Sequence, residues 1–171
     1  LARVAAVHEE KRRDIGAAIR TYERIQGDLG ADDASLRALA RLYEREGHWA
    51  DVAATLQELS ARLDGDEAVE ACHRVVNLFE RELHDEEEAG RVLQATYSRF
   101  PGDETTRTRL KAYYQSRGEY QALAQVLDAE LDRATSDADR VALLREISNV
   151  YRDELDDPGT AAGYLEQAVQ L

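Results

Sequence analysis

The amino-acid sequence predicts an all-α protein, an α-solenoid in which helical hairpins stack side by side. Three observations support this prediction. The 171 residues include only two prolines, and 33% of them are charged, which is typical of solvent-exposed helices. Apolar residues recur with the helical period of about 3.6 residues. The segment LARLYEREGHWADVAATL (39–56) returns in similar form as LKAYYQSRGEYQALAQVL (110–127), 71 positions later.

Each copy of this segment has the pattern of two amphipathic helices joined at a glycine. The apolar residues of the leading helix fall at i, i+3, i+4 and i+7, and the period restarts after the glycine. Gly47 and its counterpart Gly118 are suited to end a helix with a positive φ angle. The first copy has predicted core positions at Leu36, Leu39, Ala40, Tyr43, Trp49, Val52, Ala53, Leu56 and Leu59. Tyr43 and Tyr114 are equivalent, and we expect both rings to be buried.

A second type of hairpin alternates with the first. FERELHDEEEAGRVL (79–93) matches YRDELDDPGTAAGYL (151–165), 72 positions later, and HEEKRRDIGAAIRTY (8–22) is a weaker copy. Asp85 and Glu88 have capping-box spacing, and Asp157 precedes Pro158, which suits the first position of a helix. One superrepeat therefore contains two different hairpins, each about 35 residues long.

The pattern predicts about ten helices in about five hairpins. The helices are expected near 2–12, 15–28, 33–46, 49–63, 67–83, 86–99, 103–117, 119–133, 137–155 and 158–170. The hairpins span approximately 1–30, 31–65, 66–101, 102–135 and 136–171. No break in composition suggests a second domain, so we expect one repeat domain over 1–171. The sequence starts at Leu1 and stops inside a predicted helix, which indicates a fragment of a longer array.

These hairpins resemble the tetratricopeptide repeat, whose 34-residue units carry characteristic apolar, small and aromatic positions. Those positions are occupied in order by Leu36, Leu39, Ala40, Tyr43, Gly47 and Leu56, and in the next copy by Arg107, Leu110, Lys111, Tyr114, Gly118 and Leu127. Arg107 and Lys111 depart from the family pattern, which has apolar or small residues there. The alternate hairpins carry one extra residue in the turn. The resemblance implies a right-handed superhelical solenoid that binds peptides or proteins on its concave face.

The resemblance also implies that the first helix of each hairpin lines the binding face. Its non-core positions carry a set of basic and carboxamide side chains, which suit carboxylates or peptide backbone. The candidate partner-binding residues are Arg37, Arg41, Arg45, His73, Asn77, Arg81, Arg145 and Asn149. We expect an acidic or extended peptide, with a C-terminal carboxylate as one option. The alternative is an ordinary solvated surface with Arg/Glu pairs at i, i+3 or i, i+4 of one helix, because Glu44, Glu80, Glu146 and Asp153 lie on or near the same faces.

Charge and motif content exclude several classes of function. The net charge of −13 opposes binding to nucleic acids and to anionic membrane surfaces. The sequence shows no catalytic constellation, phosphate-binding loop or closed set of metal ligands, so we expect no enzyme activity, cofactor or metal. The acidic run DEEE (85–88) is interpreted as a favourable first helical turn. The single cysteine favours the cytoplasm without fixing the compartment, and the excess of Arg over Lys suggests a bacterial source.

These observations predict a protein-interaction scaffold or adaptor. One alternative is a structural spacer that associates with itself through its end helices, since Leu165, Ala168 and Val169 are apolar positions on the last helix. Another alternative is a regulatory module in a longer chain that contains an enzyme.

Overall fold

The computed structural model describes residues 15–171, which form α-helices joined by short turns. Nine α-helices lie in this range: α1 (Ile15–Leu29), α2 (Asp33–Glu46), α3 (Trp49–Arg62), α4 (Gly65–Leu78), α5 (Glu86–Arg99), α6 (Glu104–Arg117), α7 (Tyr120–Leu131), α8 (Asp137–Asn149) and α9 (Pro158–Val169). The all-α prediction is confirmed, and the nine predicted helices in this range are present. The helix predicted at 2–12 lies outside the described residues.

The helices pack sequentially as hairpins within two compact units. The first unit extends to Thr106, and the second comprises Arg107–Leu171. In the first unit α2 packs against both α1 and α3, and α4 packs against α3 and α5. In the second unit α8 packs against both α7 and α9. Stacked hairpins are thus confirmed in each unit. The single repeat domain and its right-handed superhelical path stay predictions.

The predicted turn signals act locally as expected in the hairpins of the 39–56 type. Asp32, for which no cap was predicted, also caps α2 with a full capping box, in which its carboxylate accepts the Ser35 N–H at 2.7 Å. Gly47 ends α2 with a φ angle of 72°, and Gly118 follows α6 with a φ angle of 68°. A left-handed backbone at these turns favours glycine because it lacks a Cβ atom.

The alternate hairpins contain a π-helical turn that the sequence did not predict. Phe79–Leu83 extends α4, and Val150–Glu154 extends α8, with hydrogen bonds that span five residues instead of four. A π turn accommodates one inserted residue in a helix, which explains the extra residue of these hairpins. His84 and Asp156 follow the two turns at equivalent positions, with φ angles of 53° and 50°.

Only half of the capping box predicted at Asp85 forms. The Asp85 carboxylate accepts the Glu88 N–H at 3.0 Å, as expected for a helix N-cap. The reciprocal bond is prevented because the Asp85 N–H is donated to the Phe79 carbonyl at 2.8 Å, across the π turn. The Glu88 carboxylate contacts Arg91 instead. Asp157 caps α9 as predicted, with Pro158 at the start of the helix.

The core of the first unit is apolar at most of the predicted positions. Its central cluster consists of Leu36, Ala40, Val52, Ala53, Leu56, Leu59 and Val75, which are all buried. The prediction that the Tyr43 ring is buried is corrected, because the ring is only partly buried and its hydroxyl reaches the surface. That hydroxyl donates to the Glu23 carboxylate at 2.7 Å. The equivalent Tyr114 is buried as predicted.

Candidate functional site

The first unit places Arg37, Arg41 and Arg45 on an exposed face of α2, the first helix of its hairpin. Arg37 forms an ion pair there, in which its Nη2 atom lies 2.7 Å from Oε2 of Glu67 on α4. This ion pair is exposed, with 53% of the Arg37 side chain accessible. Arg41 and Arg45 also make interactions, so neither is free. The three arginines therefore form a basic face that is partly neutralised.

A second ion pair joins the same two helices in the opposite direction. Arg74 on α4 contacts Glu44 on α2 at 3.5 Å. The alternative of an ordinary solvated surface placed Arg/Glu pairs within single helices. Here the two pairs connect successive first helices. Exposed pairs of this kind contribute about 0–1 kcal/mol each. They therefore order the face without making it costly for a partner to replace one member.

A cleft opens between α2, α3 and α4 beside these ion pairs. Its volume is about 360 Å³, which accommodates one or two amino-acid side chains. The lining combines apolar and charged side chains and includes Arg37, Leu59, Leu63, Glu67, Ala71 and Arg74. An apolar floor with charged groups at the rim can hold an apolar side chain whose neighbour carries a charge.

His73 differs from the arginines because it is largely buried and bonded to the next hairpin. Its Nε2 atom lies 2.7 Å from Oγ1 of Thr106 and 3.2 Å from Oδ2 of Asp103. The Asp103 carboxylate also accepts the Thr106 N–H at 2.7 Å, which caps the start of α6. The imidazole thus links α4 to the beginning of α6, and its predicted contact with a partner stays a prediction.

Asn77 and Arg81 lie further along the same first helix. Asn77 is partly buried on α4, and Arg81 is exposed within the π turn that follows. The sequence placed both in one stripe because they are four residues apart. In the π turn the hydrogen bonds span five residues, so Arg81 follows Asn77 across a change from α-helical to π-helical geometry. The predicted stripe of Asn77 and Arg81 stays a prediction.

In the second unit, Arg145 and Asn149 lie on the exposed face of α8. The Asn149 carboxamide oxygen accepts from Nη2 of Arg152 at 2.9 Å, which leaves its NH₂ group as the donor available to a partner. The guanidinium of Arg152 also pairs with Asp153 at 2.7 Å. Local polar contacts thus position the carboxamide.

The second unit also contains a charged network that sequence reasoning recorded only as a departure from the family pattern. Glu130 on α7 lies 3.1 Å from Nε of Arg107 and 3.1 Å from Nζ of Lys111, both on α6. Lys111 is also 3.9 Å from Glu146 on α8. A cleft of about 490 Å³ opens beside this network, lined in part by Arg107, Glu130, Arg133, Asp139 and Glu146. The sequence signal was the basic pair Arg107 and Lys111 at repeat positions that are usually apolar or small, together with the acidic Glu130 on the second helix of the same hairpin.

Two solved structures are similar to this chain along nearly its whole length. One, described as "Crystal structure of MamA", has 16% sequence identity and a TM-score of 0.46, and the match covers 95% of this chain and 91% of that chain. The other, described as "Crystal structure of MamA protein", has 16% identity and a TM-score of 0.47, with 99% and 90% covered. No family model matches the sequence, and no curated protein matches it.

Two further features of residues 15–171 concern membranes and metals. None of the helices described there combines the length and apolar character needed to cross a membrane. Within the same residues, no group of three or more His, Cys, Asp or Glu side chains is placed to hold a metal ion.

Proposed function

We propose that this protein is a non-enzymatic scaffold that binds a protein or peptide along the exposed face of its first helices. The observation that carries the proposal is the cleft between α2, α3 and α4, where Arg37 and Arg74 stand beside an apolar floor. Stacked hairpins expose an extended surface of repeated helices, which is how repeat proteins engage elongated partners. The tetratricopeptide resemblance supports the same function.

The proposed ligand is an extended acidic segment with an apolar side chain next to a carboxylate. The apolar side chain enters the cleft, and the carboxylate replaces Glu67 on Arg37 or Glu44 on Arg74. Such an exchange costs little because both ion pairs are exposed. A guanidinium that binds a carboxylate through two nitrogens adds directionality to the contact. The partner's C-terminal carboxylate is one form of this ligand.

A capture experiment with matched variants tests this proposal. The tagged chain is incubated with lysate of the source organism, in parallel with Arg37→Glu/Arg41→Glu and with the control Arg20→Glu/Arg24→Glu. The control makes the same charge change on exposed positions of α1, a second helix. We expect a partner that the wild type and the control retain and the Arg37/Arg41 variant loses, with unchanged helicity in all three. Equal capture by all three chains would refute binding at this face.

A second candidate function, self-association, is favoured by the last helix. Leu165 and Val169 on α9 are 41% and 87% exposed, although they continue its apolar pattern. Apolar side chains of this kind are covered in an internal hairpin of a repeat array. Light scattering over a range of protein concentrations tests this function. A mass that doubles with concentration, and stays monomeric in Leu165→Glu/Val169→Glu, would establish it, and a constant monomer mass would exclude it.

A further inference from the structure

The two copies of the 39–56 type hairpin differ at three equivalent positions, which are apolar in the first copy and charged in the second. A shift of 71 residues relates Leu36, Ala40 and Leu59 of the first copy to Arg107, Lys111 and Glu130 of the second. The first set packs together in the apolar core of its unit, where all three side chains are buried. The second set is a contact between three charges.

The charged set is more enclosed than an ordinary surface pair. The side chains of Arg107, Lys111 and Glu130 are 19%, 21% and 21% exposed. Both cations lie 3.1 Å from Glu130, which joins α6 to α7 within the hairpin. Breaking a partly buried pair by removing one partner is costly, whereas replacing the whole set with apolar residues is often neutral or stabilising. Stability alone therefore gives no reason for charges at this position.

The helices that pack beside the two hairpins carry opposite charges at one equivalent position. In the second unit, Lys111 lies 3.9 Å from Glu146 on α8. A shift of 72 residues relates Glu146 to Arg74 on α4, the helix that packs beside the apolar copy. If the charged hairpin took the place of the apolar one against α4, Lys111 would face Arg74. If the apolar hairpin took the charged one's place against α8, Glu146 would lose its cation.

We infer that this charged set is a recognition device that specifies which hairpin stacks on which helix. Two similar hairpins in one chain can exchange places, either within a chain or between two copies, and misassembly of this kind is a characteristic failure of repeat proteins. The network opposes the exchange in two ways. Lys111 attracts Glu146 on the correct partner helix and would repel Arg74 on the wrong one. Specific recognition uses both attraction of the correct partner and repulsion of the wrong one. The device concerns assembly, so it is independent of partner binding.

The experiment converts the charged copy into the apolar one in the full chain. The graft Arg107→Leu/Lys111→Ala/Glu130→Leu installs the residues of the first copy at the equivalent positions. Wild type, graft and control are unfolded in denaturant, refolded at increasing protein concentration, and separated by size-exclusion chromatography with light scattering. The control, Arg117→Ala/Glu119→Ala/Arg140→Ala, removes two cations and one anion from exposed positions.

We expect the graft to fold with a melting temperature equal to or above that of the wild type. After refolding at high concentration it should form dimers that persist when the sample is diluted, because exchanged hairpins separate only by unfolding. The wild type and the control should refold with the same mass distribution as before unfolding. A graft that refolds as the wild type does would overturn the inference. A graft that fails to fold would also overturn it, because the apolar set could then not replace the charged set at these positions.

Discussion

At the scale of single residues, two side chains hold a backbone conformation that L-amino acids adopt at a cost. His84 and Asp156 have positive φ angles at the ends of the two π turns. The left-handed conformation costs a residue with a Cβ atom roughly 1–2 kcal/mol. The equivalent turns in the other hairpins use Gly47 and Gly118. The alternate hairpins therefore retain a local strain that glycine would relieve.

The substitution His84→Gly should stabilise the protein. The relief of left-handed strain exceeds the added conformational entropy of glycine in the unfolded chain, for a net gain of about 0.5–1 kcal/mol. Denaturant unfolding followed by circular dichroism measures this change. The control His48→Gly, at a residue with a φ angle of −84°, should give no gain. A loss of stability in His84→Gly would contradict the explanation.

Local signals among residues could be predicted from the sequence, and contacts between distant residues could not. The caps at Asp85 and Asp157 depend on residues three positions away, so local sequence was sufficient to predict them. His73 contacts Thr106, which is 33 residues distant. Arg99 binds the Ser60 carbonyl at 2.8 Å across 39 residues, at the end of α3. Such partners are determined by how hairpins stack, which periodicity does not report.

At the scale of the elements, the two equivalent tyrosines should contribute unequally to stability. Tyr114 is 8% exposed, so Tyr114→Ala removes a buried ring and should cost roughly 3–5 kcal/mol with a loss of cooperative melting. Tyr43 is partly buried and extends to Glu23, so Tyr43→Ala should cost distinctly less. Thermal unfolding of both variants measures the difference. Equal losses would show that the half-exposed ring contributes as much as the buried one.

The ionisation of Tyr164 on α9 should lower the stability of the fold at alkaline pH. Partial burial, followed by the hydrogen bond from the Tyr164 hydroxyl to Asp128 at 2.8 Å, raises the pKa of Tyr164 well above its usual value of about 10. The neutral hydroxyl is therefore favoured in the folded state. This contribution is fully present below pH 10 and is lost as the pH rises toward the folded-state pKa.

Between pH 9 and pH 11.5, the wild type should therefore lose more stability than Tyr164→Phe. The phenylalanine ring has no proton to release, so it removes this source of pH dependence. Denaturant midpoints measured at several pH values give the two slopes. A variant that loses stability as steeply as the wild type would show that the Tyr164–Asp128 contact does not contribute to the pH dependence.

The helix positions followed from periodicity because each hairpin repeats its pattern, but the π turns did not. Their sequence signal is a single extra residue in the alternate hairpins, which comparison with the family pattern placed in the turn but not within the helix. The structure places it in the π turns at the ends of α4 and α8.

At the scale of the whole molecule, composition and repetition predicted the fold class, and the candidate face was predictable only as a set of exposed positions. Its arginines did lie at the surface, as periodicity requires. The ion pairs Arg37–Glu67 and Arg74–Glu44 could not be predicted, because they depend on the offset between successive first helices. The apolar positions replaced by charge at Arg107 and Lys111 became interpretable only with Glu130 beside them.

The central claim is that an acidic, extended partner binds the first-helix face of α2 and α4. The most direct test measures dissociation constants by fluorescence anisotropy for a panel of labelled peptides with an apolar residue next to zero, one or two carboxylates. The wild type, Arg37→Glu/Arg41→Glu and the control Arg20→Glu/Arg24→Glu are compared at two salt concentrations. We predict binding that strengthens with carboxylate number, weakens with salt, and falls at least tenfold in the Arg37/Arg41 variant alone. Affinities that ignore peptide charge, or that fall equally in both variants, would contradict the account.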